Sequence, residues 1–213
     1  MSIIDYIARE DKEDGGRFTV NALDRLNDSE SGFMENFQIR YATTMDVSLA
    51  LEFIKELAKY EKLLDEVIVT PDLLREWLFE NKKAEVLIGE MGEKPVAFAL
   101  FFHNFSTFLG RAGIYLEDLY VRPEARGKGI GKAMFQYIAR LTVQRGCGRL
   151  EWSCLDWNAN SISFYESFDA EAMRDWTIYR LTGNTLIEFA EAANGIIPAP
   201  NNLNRPTSPL SWQ

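Results

Sequence analysis

The sequence predicts an α+β domain built on a mixed, mostly antiparallel sheet flanked by helices. Three observations carry that prediction. Four short apolar runs rich in β-branched and aromatic residues stand in the first 121 residues. Two of them, "AEVLIGE" and "PVAFALFFHNF", flank the short turn "MGEK", which is a hairpin signal. Beyond the fourth run the order becomes β-α-β-α-β, which calls for crossover connections and a change of strand direction in the same sheet.

In chain order, residues 1–36 read as a polar extension. Its faint apolar pattern around Ile3, Ile4 and Ile7, and around Leu23 and Leu26, suits a short docked helix. "FQIRYA" (37–42) is the first strand of the domain. Thr44 is placed to cap a helix reaching about Leu63, because Val47, Ala50, Leu51, Ile54, Leu57 and Ala58 keep helical spacing. Thr70 and Pro71 are a start signal for "PDLLREWLFE". The hairpin follows, and "GIYLEDLYV" is the fourth strand. Ile130, Ala133, Met134, Tyr137, Ile138 and Leu141 then trace a helical stripe closed by Gly146. "RLEWSCLDW" is the fifth strand, "NANSISFYESF" a further helix, and "WTIYRLTG" a late strand. The domain is expected to span 37–190, and 191–213, rich in Pro, Asn and Ser, reads as an irregular tail.

Composition narrows the function. Hydrophobic residues at 46% and aromatics at 13% are ample for a core. A net charge of −9 repels nucleic acid and anionic membrane and mildly attracts a small cation. Cys147 and Cys154 are too few for a disulfide framework and read as small core residues. A lone histidine, His103, argues against zinc and histidine-based triads, so no metal is expected. With no membrane-length apolar run and no signal-peptide pattern, the expectation is a cytoplasmic protein.

"VRPEARGKGIGK" (121–132) carries the chemistry. A Walker loop would need glycine where Arg126 stands and Ser or Thr where Ala133 stands, and no dinucleotide fingerprint fits its glycines. What remains is Arg126-x-x-Gly129-x-Gly131 between a strand and a helix. Glycines let backbone approach a phosphate, and the first N–H groups of the helix face it at the positive end of the helix dipole.

This segment resembles the acetyl-CoA loop of the GCN5-related N-acetyltransferase (GNAT) superfamily, and the likeness runs from about Phe37 to Phe189. "KELAKYEK", "YLEDLYV", "RGKGIGK", "LDWN" and "SISFYESFDA" are similar to the diamine (spermidine/spermine) and thialysine acetyltransferase branch. The resemblance implies a sheet splayed between its fourth and fifth strands, acetyl-CoA as co-substrate, and a homodimer. It places the pantetheine arm on Leu119, Tyr120 and Val121. The pyrophosphate falls on Arg126, Gly127, Lys128, Gly129, Ile130, Gly131 and Lys132, with further contacts from Asn158 and Ser161. Tyr165 matches the proton donor, and Tyr60, Glu61, Glu117, Glu151, Trp152 and Ser153 match the amine site.

The chemistry fits those types. Acyl transfer needs a neutral amine, whereas a substrate ammonium with a pKa of about 10 is charged at neutral pH. A carboxylate can attract the ammonium and take its proton, and a phenol can protonate a departing thiolate. Glu117 and Asp118 interrupt a strand that ought to be buried, where an unpartnered carboxylate is costly. Strand alternation sends them to opposite faces, Glu117 to the cleft as base and Asp118 to a backbone or cationic partner. A covalent route through Cys154 lacks an activating base and is set aside.

Three positions depart from the branch. Ser106 stands where the polyamine form has an acid and Phe108 where it has Trp, which suits a shorter amine. Asp169 replaces a glycine after the last cofactor helix. Direct transfer to a diamine, polyamine or thialysine-like amino acid in a ternary complex is the expected activity. A protein lysine or N-terminal acetyltransferase and a non-catalytic CoA-binding sensor are the rivals. Retention of Glu117 and Tyr165 argues against the sensor.

Overall fold

The computed structural model describes residues 17–19 and 36–192. The chain divides between Leu155 and Asp156 into two compact units.

The first unit is one sheet with strands in the order β1 (Arg17–Thr19), β2 (Phe37–Tyr41), β3 (Glu85–Met91), β4 (Lys94–Ser106), β5 (Arg111–Val121) and β6 (Leu150–Trp152). All neighbours are antiparallel except β5 and β6, which run parallel. Both Leu87 and Ile88, successive residues of β3, are fully buried, so both faces of this strand are covered. Residues 17–19 pair with β2, so part of the expected extension is a strand. The residues expected to form a docked helix, 3–7 and 23–26, lie outside the described residues, as does the tail beyond 192.

Helix α1 (Val47–Glu61) lays Val47, Ala50, Phe53 and Leu57 on Ile88, Phe98 and Tyr120. Its entry is a short 3-10 turn, Thr44–Asp46, and the cap is Thr43 rather than Thr44. Thr43 and Asp46 form a capping box: Met45 N–H donates to Thr43 Oγ1, and Thr43 N–H donates to Asp46 Oδ2 at 2.8 Å. Lys62 closes α1 in the left-handed conformation, at φ 64°. Helix α2 (Pro71–Leu74) starts on Thr70 and Pro71 as expected, then widens to a π-helix over Arg75–Glu80. Helix α3 (Ile130–Gln144) packs on β4 and β5 through the predicted stripe and ends before Gly146, at φ 65°.

The second unit holds helices α4 (Ala159–Glu166) and α5 (Gly183–Glu191). The expected strand over "WTIYRLTG" does not form. That segment is irregular, with Trp176, Ile178 and Tyr179 at 68%, 74% and 90% exposure. A strand needs a neighbour to satisfy its backbone groups, and alternation alone supplies none. The fifth strand is likewise shorter than its sequence pattern, confined to Leu150–Trp152. Cys147 and Cys154 are half-buried rather than core.

Candidate active site

Three features of the first unit meet at the C-terminal end of β5. The first is an open strand edge. On one side β4 pairs along β5 as far as Val121, while on the other β6 reaches only Ile114 to Leu116. Leu119, Tyr120 and Val121 therefore have no strand partner on the β6 side among the described residues. On that edge the backbone groups of Leu119 and the N–H of Val121 are available to a ligand that carries amides, while the Val121 carbonyl accepts from Arg126 Nε at 2.8 Å.

The second is the loop into α3. Gly127 and Gly129 take φ of 72° and 79°, the left-handed region in which a side chain is strained. A Cβ added at either would meet nothing within 4 Å, so the space over them is open. Gly129 is the N-cap of α3, and no side chain caps the helix, leaving its first N–H groups directed at that space. Lys128 Nζ donates to the Glu124 carbonyl at 3.0 Å. An open glycine cradle beneath an uncapped helix end fits the pyrophosphate of CoA. Gly131 and Lys132 lie in the first turn of α3.

The third is a pair of carboxylates displaced by a bulge. Leu100 pairs with Asp118 but the next residue of β4, Phe101, pairs with Leu116, so Glu117 is an extra residue in β5. Paired residues share a face, and Leu100 and Phe101 face opposite ways. The bulge thus puts Leu116 with Phe101 and turns Asp118 to the α1 side, with Leu100 and Tyr120. Glu117 is exposed at the bulge. Strict alternation, the basis for opposing the two carboxylates, fails here.

Of the backbone or cationic partner expected for Asp118, the cation is absent: no ion pair reaches it among the described residues. Burial first, then the charges of Glu117 and Glu61, push the Asp118 carboxyl up to about 7. Glu61, the last residue of α1, is itself raised by burial. The sequence reading missed Asp118 as a titrating group. The apolar flanks of "YLEDLYV" held the signal, since a buried acid without a cation keeps its proton.

The other expected amine-site residues have partners within the protein. Glu151 accepts from Asn104 Nδ2 at 2.6 Å and lies 2.8 Å from Arg149 Nε. Trp152 packs edge-on against Phe135 of α3, with ring centroids 4.9 Å apart. Ser153 Oγ is 2.6 Å from the Tyr115 hydroxyl. Tyr60 lies under the Arg126 guanidinium, 4.9 Å from its ring centroid. Ser106 accepts from Leu109 N–H in the β4–β5 turn, and Phe108 is 92% exposed.

In the second unit Asn158 caps α4, its side chain accepting from Ser161 N–H at 3.3 Å. Tyr165 lies on the same helix, its ring 5.1 Å from that of Phe164. Asp169 does adopt the left-handed conformation, at φ 59°, where a short polar side chain is better tolerated than most.

Residues 51–169 match the model of the Acetyltransferase (GNAT) family. The chain belongs to this family. It is 34% identical to a thialysine N-epsilon-acetyltransferase of Caenorhabditis elegans, over 74% of this chain and 99% of that protein. An L-ornithine N5-acetyltransferase of Arabidopsis thaliana is 36% identical over 68% of this chain and 59% of its own length. A spermidine/spermine N(1)-acetyltransferase-like protein of Homo sapiens is 32% identical over 74% of this chain and 24% of that one. Among solved structures, an integron cassette protein from V. cholerae superposes with a TM-score of 0.62 at 26% identity, covering 73% of this chain and 98% of that one. The α+β fold and the enzyme class expected from the sequence are those of these relatives: the protein is an N-acetyltransferase.

Proposed function

We propose that this enzyme transfers an acetyl group from acetyl-CoA to the terminal amine of a small cationic substrate, directly and in a ternary complex. A compact amino acid with a side-chain amine is the preferred class. Two relatives are named for such substrates, thialysine and ornithine. Ser106 in place of an acid removes a charge that a long polyamine would use.

The observation that carries the reading is the open edge of β5, which runs from the carboxylates at 117 and 118 straight into the glycine loop. Acetyl-CoA, when bound, supplies an acetyl thioester. The backbone of Leu119, Tyr120 and Val121 would hold its amide-bearing arm, and the N–H groups around Gly127 to Lys132 its phosphates. The family resemblance assigns further CoA contacts to Asn158 and Ser161. Glu117, exposed at the bulge, attracts the substrate ammonium and accepts its proton, so that the amine lone pair can attack the carbonyl carbon. Glu61 adds negative potential on the α1 side, with the Asp118 carboxyl as a hydrogen-bonding group beside it and Tyr60 as an aromatic wall. Tyr165 donates its phenolic proton to the departing sulfur. The enzyme acts as a homodimer in the cytoplasm; the exposed apolar side chains of the second unit support the dimer.

Free-thiol release from acetyl-CoA tests this against thialysine, ornithine, lysine, putrescine, spermidine, spermine and a lysine peptide. Turnover is expected with the short amino acids and weak with spermine. A strong preference for the peptide would overturn the substrate class. Tight CoA binding without turnover on any amine would overturn the enzyme reading in favour of a sensor.

A further inference from the structure

Arg126 opens the glycine loop, and the obvious use for it is charge against a phosphate. Its guanidinium has other contacts. Nε donates to the Val121 carbonyl at 2.8 Å, and Cζ sits 4.9 Å from the Tyr60 ring centroid and 5.5 Å from that of Tyr120. Tyr60 is the penultimate residue of α1, beside Glu61. Four residues earlier, Arg122 grips the same helix. It bonds Glu56 at 2.9 and 3.2 Å, pairs with Glu52, donates to the Pro95 carbonyl and lies 4.6 Å over the Phe53 ring. Phe53, Glu56 and Tyr60 recur at i, i+3 and i+7, so they form one stripe of α1. Two arginines of the loop that follows β5 thus hold that stripe at successive turns, Arg122 in mid-helix and Arg126 at the end.

We propose that Arg126 is a positioning residue: stacked on Tyr60, it sets the end of α1, and with it Glu61, against Asp118, and so ties the amine-side carboxylates to the loop that carries the cofactor phosphates. The reaction assigned above is needed only to say that the amine binds there. Placement by stacking depends on a flat cation, which lysine lacks even though it keeps the charge.

Arg126→Lys, Tyr60→Leu and the double variant test this in the full-length enzyme, with thialysine as the amine. Each single variant is expected to raise the thialysine KM about 5- to 10-fold, the range of one cation–π contact. CoA affinity by calorimetry is expected to move less. The double variant should be no worse than the poorer single one. In urea unfolding, Tyr60→Phe should keep its coupling to Arg126, and Tyr60→Leu should lose it. A large loss of CoA affinity in Arg126→Lys with the amine KM unmoved would make Arg126 a phosphate ligand and overturn the proposal, as would additive effects in the double variant. Should the parent enzyme bind CoA yet acetylate no amine, the reaction assignment fails. The proposal is then decided by carbon-13 NMR of the Asp118 carboxyl: Arg126→Lys must lower its titration point as Glu61 moves away, and an unchanged titration overturns it.

Discussion

Asp118 is a carboxylic acid whose titration its surroundings push up to about 7, and that has a signed consequence for stability. In the unfolded chain it titrates near its ordinary value of 3.8, and in the folded protein at about 7. The folded state therefore holds an extra proton between these values. The associated stability is full below about pH 4 and is lost as pH rises through 7. Asp118→Asn should stabilise the protein more at pH 8.5 than at pH 5, by on the order of 2–3 kcal/mol, read from urea unfolding at the two pH values. Equal effects at both would show that Asp118 ionises normally. Tyr165 makes the complementary case on the acid side of the chemistry. Tyr165→Phe should lower kcat at least about 100-fold, the usual worth of a positioned proton donor, with little change in CoA affinity. A kcat within twofold of the parent would remove Tyr165 from the proton transfer.

Among elements, the start of α1 and the start of α3 are built by opposite means. At α1 the Asp46 carboxylate takes Arg40 Nη1 and Nη2 at 2.9 Å and the Thr43 N–H and hydroxyl at 2.8 and 3.0 Å. Glu90 takes Arg40 Nε at 2.9 Å. The hydrogen bonds from Arg40 hold the Asp46 carboxyl below its usual range. Its stabilisation is present above about pH 4 and is lost as pH falls through the depressed value. Asp46→Ala removes the capping box and leaves Arg40 half-partnered, so a loss of about 3 kcal/mol is expected in urea unfolding at pH 7, shrinking in acid. At α3 no side chain caps the helix, and two glycines in left-handed geometry keep its N–H groups clear. Gly129→Ala should cost about 1 kcal/mol in stability. Its effect on CoA affinity should be larger, about tenfold or more, because the new methyl enters the anion's space. Calorimetry of CoA against the parent protein separates the two effects.

For the molecule as a whole, none of the residues of α4 or α5 in the second unit is buried. Met173, Trp176, Ile178, Tyr179, Leu181 and Phe189 are all more than half exposed. The homodimer proposed above would bury part of this exposed apolar surface. Light scattering should give twice the chain mass of 24.4 kDa. Trp176→Asp combined with Tyr179→Asp should shift the species toward monomer. A monomeric parent at micromolar concentration would remove the dimer.

The sequence alone determined what local rules govern. Period-two and period-3.6 patterns placed the hairpin, α1, α2 and α3. The glycine spacing between a strand and a helix marked the loop proposed to hold the anion, because φ above zero and the absence of a Cβ are properties of single residues. Tertiary structure decided whatever depends on partners distant in sequence. "WTIYRLTG" alternates like a strand yet has no strand beside it, and Arg17–Thr19 lies in an unpatterned stretch yet finds β2. Glu117 was legible as a carboxylate in an apolar strand. That a bulge against Leu100 and Phe101 turns Asp118 toward α1, and that burial beside Glu61 then keeps its proton, follows from register and packing. Arg126 shows the same division. Its spacing reads as a phosphate cation, and only the approach of Tyr60, 66 positions earlier in the chain, gives its guanidinium an aromatic face to lie on.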